Sequence, residues 1–344
     1  MKEASFYNRL NGKVQCLLCP HECVINDGKR GSCNVRKNFN GKLISENYRQ
    51  VCSYNFDPIE KKPLYHFYPG KTIFSIGSIG CNLHCNFCQN WEISQSGVED
   101  HPYLRTNSPE DVISLAKSRS ENIGIAFTYN EPTVWYEYMM DIAKLAKQEN
   151  LKTVMVTNGF INPAPLKNLL PFMDAFSVDL KAFTEQFYKQ QTSSKLAPVL
   201  ETIQTLKKHH KYFEITNLII TNTNDNEKEF GEMMDWIVRE TGDDTVLHIS
   251  RYFPMYKMTK EATSIDKLKQ LFAIAKEKLN YVYMGNVRSG EGQDTFCKNC
   301  NTKVIERTGY HTEIIGLDTI GNCLNCKQPI ISDYCLQTNK TNLL

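Results

Sequence analysis

Gly77-Ser78-Ile79-Gly80-Cys81-Asn82-Leu83-His84-Cys85-Asn86-Phe87-Cys88-Gln89-Asn90-Trp91 is the stretch on which the reading of this chain turns. Its three cysteines, at CxxxCxxC spacing, directly follow a β-rich run at 72–78. Three thiolates on one short loop can surround a metal unit but cannot close a four-ligand shell. Structural zinc normally takes four protein ligands. A [4Fe–4S] cube wants one ligand per iron, so three cysteines leave one iron open to a substrate or cofactor. The bland alternative is zinc completed by His84 or His66. Position favours the open site, because the loop leaves the C-terminal end of a strand, where α/β-barrel active sites sit.

Outward from that loop the chain alternates. Short β-rich runs fall at 72–78, 123–129, 153–157, 175–179, 213–221, 245–250 and 281–285. Between them lie amphipathic helical stretches. Ser108-Pro109 reads as N-cap and N1, with apolar Val112, Leu115 and Ala116 following. Glu131-Pro132 opens a helix expected to run to about Gln148. Leu200, Ile203 and Leu206 share one face, as do Leu268, Leu271, Phe272, Ala275 and Leu279. Such alternation predicts an α/β fold with a parallel sheet, either a complete or partial barrel or a doubly wound sheet; periodicity alone does not separate them. Three parts are expected: a Cys-rich segment at 1–70, the α/β unit at 71–290, and a Cys-bearing tail at 291–344. Asp57-Pro58-Ile59-Glu60-Lys61-Lys62-Pro63-Leu64 reads as an extended connector. Lys61-Lys62 and Lys207-Lys208-His209-His210-Lys211 read as solvated faces.

The 344 residues carry 40 basic and 38 acidic side chains, a net charge of +2. That balance argues against nucleic acid or an anionic membrane as the main partner. No run approaches the roughly 18 uninterrupted apolar residues of a membrane span. Residues 1–10 hold no apolar core of a secretory signal, so a cytoplasmic location is expected. In a reducing compartment the 13 cysteines read as metal-binding thiolates rather than disulfides.

Eleven of them group as four, three and four. Cys297-Lys298-Asn299-Cys300 and Cys323-Leu324-Asn325-Cys326 are two CxxC knuckles, with strand-like pieces at 303–307 and 309–315 between them. They read as a zinc ribbon; an auxiliary electron-relay cluster is the alternative. Cys16, Cys19, Cys23 and Cys33 form the amino-terminal group, with Gly28 and Gly31 supplying turns. Zinc is preferred there too, with a second Fe–S cluster as the alternative.

The CxxxCxxC loop, with Phe87 as its aromatic, resembles the cluster loop of the radical S-adenosylmethionine (SAM) superfamily. The stretches Cys16-Leu17-Leu18-Cys19-Pro20-His21-Glu22-Cys23, Glu60-Lys61-Lys62-Pro63-Leu64-Tyr65-His66-Phe67 and Leu247-His248-Ile249-Ser250-Arg251-Tyr252-Phe253-Pro254 are similar to the radical SAM family of the AmmeMemoRadiSam system. That family is related to pyruvate formate-lyase activating enzymes. The resemblance implies a partial (β/α)6-type barrel, a [4Fe–4S] cluster on Cys81, Cys85 and Cys88, and SAM chelating the open iron. It further implies reductive cleavage of SAM to a 5′-deoxyadenosyl radical that abstracts hydrogen from a C–H bond.

The same resemblance implies site residues. Tyr129-Asn130-Glu131-Pro132 stands where relatives carry a GGEP-like turn that binds the methionine amino group. Thr157-Asn158-Gly159 resembles a DTNG turn in which Val156 replaces the aspartate. Asp179 and Lys181 match a pattern that takes the ribose hydroxyls and the SAM carboxylate, and His248 matches a histidine near SAM. From the residues alone, Glu131 also reads as a first-turn helix acid, Asp179–Lys181 as an internal ion pair, and His248 as a core histidine. The implied partners are an electron donor such as flavodoxin or ferredoxin, and AmmeMemo-type proteins. Two other readings of function stand: a glycyl-radical activase acting on a partner protein, and a non-enzymatic Cys-rich metal scaffold.

Overall fold

The computed structural model describes residues 1–287 and 290–331; Cys335 and the rest of the tail lie outside the described residues. The central sheet has eight strands, numbered here along the chain: β1 (Ser53–Pro58), β2 (Thr72–Gly77), β3 (Asn122–Phe127), β4 (Lys152–Thr157), β5 (Ala175–Asp179), β6 (Tyr212–Ile219), β7 (Leu247–Arg251) and β8 (Val282–Gly285). Their spatial order follows their sequence order without reversal. A doubly wound sheet reverses its order at a switch point, so the barrel-type arrangement holds. From β2 to β8 every pairing is parallel, whereas β1 runs antiparallel to β2, with Ser53 opposite Gly77 and Pro58 opposite Thr72. Six βα units therefore lead to a seventh parallel strand, and an antiparallel strand flanks the first.

The parallel strands are apolar on both faces, as strands covered by helices must be. Ile73, Phe74, Ile76, Ile125, Phe127, Val154, Met155, Val178 and Leu247 are all buried. The principal crossovers use α1 (Pro109–Lys117), α2 (Tyr136–Gln148), α3 (Pro163–Leu169), α4 (Ala197–Lys208), α5 (Glu227–Thr241) and α6 (Ile265–Lys276). Ser108 caps α1, forming a reciprocal capping box with Asp111. The helix expected from Glu131-Pro132 starts differently. Residues Pro132–Trp135 form a 3₁₀ turn before α2, and the Glu131 carboxylate folds back onto the Thr133 backbone N–H.

The segment expected to be a connector is instead part of the core. Within 57–64, Asp57, Ile59, Glu60, Lys62 and Leu64 are buried. Lys62, expected to be solvated, has a side chain only 2% exposed and lies 2.7 Å from Asp57, whose side chain is equally buried. Strand pairing puts Pro58 at the very end of β1, where its missing N–H does not interrupt the ladder. Residues 207–210 are exposed, as expected.

Two small antiparallel sheets precede β1: one of Tyr7–Leu10, Lys13–Cys16 and Val24–Asn26, the other of Lys2–Glu3, Lys42–Ser45 and Arg36–Phe39. Their Val14, Leu18, Ile25, Val35 and Leu43 belong to the same apolar core as the barrel helices. The ion pair of Arg36 with Glu137 at the start of α2 is fully buried at 2.6 Å. At the other end, Thr295–Phe296, Lys303–Thr308 and His311–Ile314 form an antiparallel ribbon whose Val304 and Ile305 pack with Tyr65, Tyr281 and Tyr283. Among the described residues, no helix is long and apolar enough to cross a membrane.

A candidate open-cluster site at the strand ends

Cys81, Cys85, Phe87 and Cys88 line a cavity of about 700 Å³ at the C-terminal ends of the parallel strands. Tyr129, Asn130 and Glu131 after β3, Asn158 after β4, Asp179 and Lys181 at the end of β5, and His248 on β7 line the same cavity. Four strand exits converge because each parallel strand delivers its following loop to the same rim.

The loop is fixed from several sides. Asn130 donates through Nδ2 to the Gly80 carbonyl (2.7 Å), and its Oδ1 accepts from the Ser78 N–H (3.3 Å). Asn158 donates to Asn82 Oδ1 (2.9 Å) and, more distantly, to the Cys81 sulfur (3.8 Å). His84 N–H and Asn86 N–H donate to the carbonyls of Thr192 and Gln191, each at 2.9 Å. Burial pushes the Cys81 and Cys88 thiols up, and Cys85 up to about 12. These sulfurs are therefore neutral until a metal takes their protons.

Both candidate fourth ligands are otherwise engaged. His84 bonds Gln95 Oε1 (2.6 Å) through Nδ1 and Ser32 Oγ (2.8 Å) through Nε2. His66 is buried, with Nε2 2.6 Å from the Tyr283 hydroxyl. Three thiols with no free histidine beside them make the donor set of a cube with one open corner, so the residues present fit that group.

Tyr129 occupies the glycine position of the turn yet has φ +73°, a conformation that costs an L-residue roughly 1–2 kcal/mol. Packing offsets that cost. The ring lies so close to Gly77 that a Cβ there would be 2.9 Å from Tyr129 Cδ2. Its hydroxyl donates to Asp57 (2.8 Å), and Asn90 donates to its carbonyl (2.6 Å). Burial opposes the Asp57 charge, but Lys62, Lys61 and Tyr129 together hold its carboxyl well below the usual range.

Glu131 is buried, and burial pushes its carboxyl up. It accepts from the Thr133 N–H (3.0 Å) and hydroxyl (2.6 Å), the Thr157 hydroxyl (2.9 Å) and the Asn158 N–H (2.8 Å). It thus buckles the β3 and β4 exits together while capping the 3₁₀ turn. Lys181 lies 3.0 Å from Asp179 and 5.9 Å from the Phe87 ring centre. Burial disfavours its charge, yet Asp179 and Cys85 outweigh that and raise its pKa. The ion pair and the cavity position coexist.

His248 is anchored through Nε2 to Glu214 (2.6 Å) and sits edge-on to Tyr65. Sequence reasoning missed Glu214. It is wholly buried on β6 and also accepts from the N–H groups of Tyr65 (2.9 Å) and His66 (2.8 Å) and the Tyr212 hydroxyl (2.6 Å). The available signal was a carboxylate inside an apolar strand, Phe213-Glu214-Ile215. Asp57 and Lys62 were missed because they lie in the supposed connector.

The two outer cysteine groups differ. The sulfurs of Cys297, Cys300, Cys323 and Cys326 all lie within 4.8 Å of one another, a set that can hold a metal ion. Cys16, Cys19, Cys23 and Cys33 surround a separate cavity.

Comparison with known proteins agrees with this architecture. Residues 75–237 match the family model of the Radical SAM superfamily. Uncharacterized protein MJ0808 of Methanocaldococcus jannaschii is 43% identical over 334 residues, covering 96% of this chain and 99% of that protein. MJ1632 of the same organism, provisionally named a glycyl-radical enzyme activating enzyme, is 26% identical over 152 residues, 42% of this chain and 54% of that one. A radical SAM methyltransferase from Sphaerobacter thermophilus has a similar fold, with TM-score 0.50 and 15% identity over 63% of this chain and 67% of its own. A parallel sheet delivering a three-cysteine loop to its C-terminal rim, together with these matches, places the chain in the radical SAM superfamily.

Proposed function

We propose that this protein is a radical SAM enzyme that binds a [4Fe–4S] cluster through Cys81, Cys85 and Cys88 and abstracts a hydrogen atom from a substrate C–H bond. The observation that carries the reading is the convergence of three thiols and four strand exits on one cavity, with both nearby histidines engaged elsewhere. The chemistry such a cluster supplies with SAM bound is reductive cleavage to methionine and a 5′-deoxyadenosyl radical.

The protein's part is placement. Lys181 would take the SAM carboxylate and Asp179 the ribose hydroxyls, their mutual ion pair opening to do so. Asn158 and the turn Tyr129-Asn130-Glu131 would hold the methionine end, with Glu131 stiffening the turn through its four accepted bonds. His248, oriented by Glu214, would present its ring to the adenosyl side. The cavity lining mixes polar and apolar side chains, and a bound SAM would have to fill it to keep water from the reacting centre. A flavodoxin or ferredoxin would supply the electron. A narrower reading, activation of a partner protein by backbone Cα–H abstraction, is favoured by the similarity to MJ1632; an EPR doublet on the partner would mark it, and AmmeMemo-type proteins are the first candidates to try.

The test is anaerobic reconstitution with iron, sulfide and SAM under a low-potential reductant. The expected result is SAM-dependent 5′-deoxyadenosine, abolished by Cys81→Ala, Cys85→Ala and Cys88→Ala together. Production that survives the triple change would overturn the assignment.

A further inference from the structure

We infer that Cys16, Cys19, Cys23 and Cys33 hold a second [4Fe–4S] cluster beside the open site, rather than zinc. These four thiols line one cavity together with Arg36 and Asn82, and all four are free of disulfides.

The first argument is spacing. Zinc–sulfur bonds of about 2.3 Å in a tetrahedron set the sulfurs about 3.8 Å apart. The tail cysteines meet that demand, with pairs at 3.5 and 3.7 Å. Among the described residues, theirs is the one group of three or more metal-ligating side chains whose donor atoms all lie within 4.8 Å of one another. The amino-terminal four line one cavity, but no three of their sulfurs all lie within 4.8 Å of one another. A cube with one iron per corner holds its thiolates wider than a single ion does, which matches that arrangement.

The second argument is charge. Arg36 is buried, and its Nη2 donates to Glu137 (2.6 Å), yet its Nε and Nη1 find no partner. Buried guanidinium N–H groups without acceptors are costly. Arg36 lines the cavity; a buried guanidinium there suits an anionic group, and four thiolates on a [4Fe–4S] core carry net negative charge. The Ser32 N–H already points at the Cys23 sulfur (3.5 Å).

The third argument is location. A Cβ on Gly80 would lie 2.6 Å from the Cys33 carbonyl oxygen, so the two cysteine loops touch where only glycine fits. His21 Nε2 donates to the Asn82 carbonyl (2.7 Å), and Ser32 Oγ meets His84 (2.8 Å). Asn82 lines the amino-terminal cavity, while its neighbours Cys81 and Leu83 line the other. A cluster there is placed to exchange electrons with a metal group on the adjoining loop.

The inference stands apart from the SAM reading, so its test removes the open site. The variant Cys81→Ala/Cys85→Ala/Cys88→Ala is reconstituted anaerobically and assayed for iron, sulfide and zinc, with folding checked by circular dichroism. The expected result is about four irons and four sulfides per chain, one zinc, and a cluster EPR signal on reduction. Loss of iron with two zincs per chain would overturn the inference, as would a single iron without sulfide. Should the variant not fold, Mössbauer spectroscopy and zinc analysis of the wild-type chain decide: about eight irons in [4Fe–4S] environments with one zinc support a second cluster, and about four irons with two zincs contradict it.

Discussion

His66 shows how one buried side chain ties stability to pH. Burial pushes its pKa down to about 4 from an ordinary 6.5. Between those values the native state binds fewer protons than the unfolded chain, so stability falls as pH falls. The His66 contribution is complete above pH 6.5 and is lost as pH drops through about 4. In His66→Gln that component is absent. The stability advantage of wild type over the variant should therefore shrink by about 3 kcal/mol between pH 6.5 and 4, measured by urea unfolding at each pH. A flat difference would contradict the buried neutral imidazole. Glu131 carries a separate lesson at this scale. The sequence offered two roles, helix-turn acid and cofactor contact. The structure adds a third, an acceptor for Asn158 N–H, 27 positions away. Such a bond is invisible until the β3 and β4 exits are placed side by side.

Among the elements, β1 departs furthest from the sequence reading. Its Pro58 and the charged run after it suggested a solvated connector, yet β1 is hydrogen-bonded along β2, and Asp57 at its end pins both Lys62 and Tyr129. Breaking a buried ion pair by removing one partner costs roughly 3–5 kcal/mol, whereas an exposed pair contributes about 0–1 kcal/mol. Asp57→Asn should therefore lower stability by roughly 3–5 kcal/mol. Lys61→Ala, at a side chain 41% exposed, should cost under about 1 kcal/mol. Equal effects in chemical denaturation would contradict the difference in burial. The parallel strands were legible because two-sided burial writes itself as apolar runs. The burial of Lys62 was not, because the Tyr129 ring that covers its ammonium, 4.8 Å from the ring centre, arrives from a turn that is distant in sequence.

In the whole molecule, three cysteine groups sit around one sheet. Their local spacing made them legible; how they are seated was not. The tail ribbon is fastened to the barrel by buried Arg307, which donates to the carbonyls of Tyr65 (2.8 Å) and Gln293 (3.0 Å) and lies 4.2 Å from the Tyr65 ring centre. The ribbon's apolar residues pack against barrel tyrosines, and a metal ion on its four sulfurs, a set that can hold one, would add to its folding stability. Chelation, or Cys300→Ser with Cys323→Ser, should open the tail to limited proteolysis near residue 300 while the barrel stays intact. Resistance equal to that of the untreated chain would show that apolar packing alone suffices. The open corner at Cys81, Cys85 and Cys88 is the account's central claim, and electron–nuclear double resonance tests it most directly. Reduced protein mixed with SAM labelled in the methionine amino nitrogen and carboxylate oxygen should show hyperfine coupling of both labels to the cluster iron. Absence of both couplings, from a reduced cluster in the presence of saturating SAM, would contradict it.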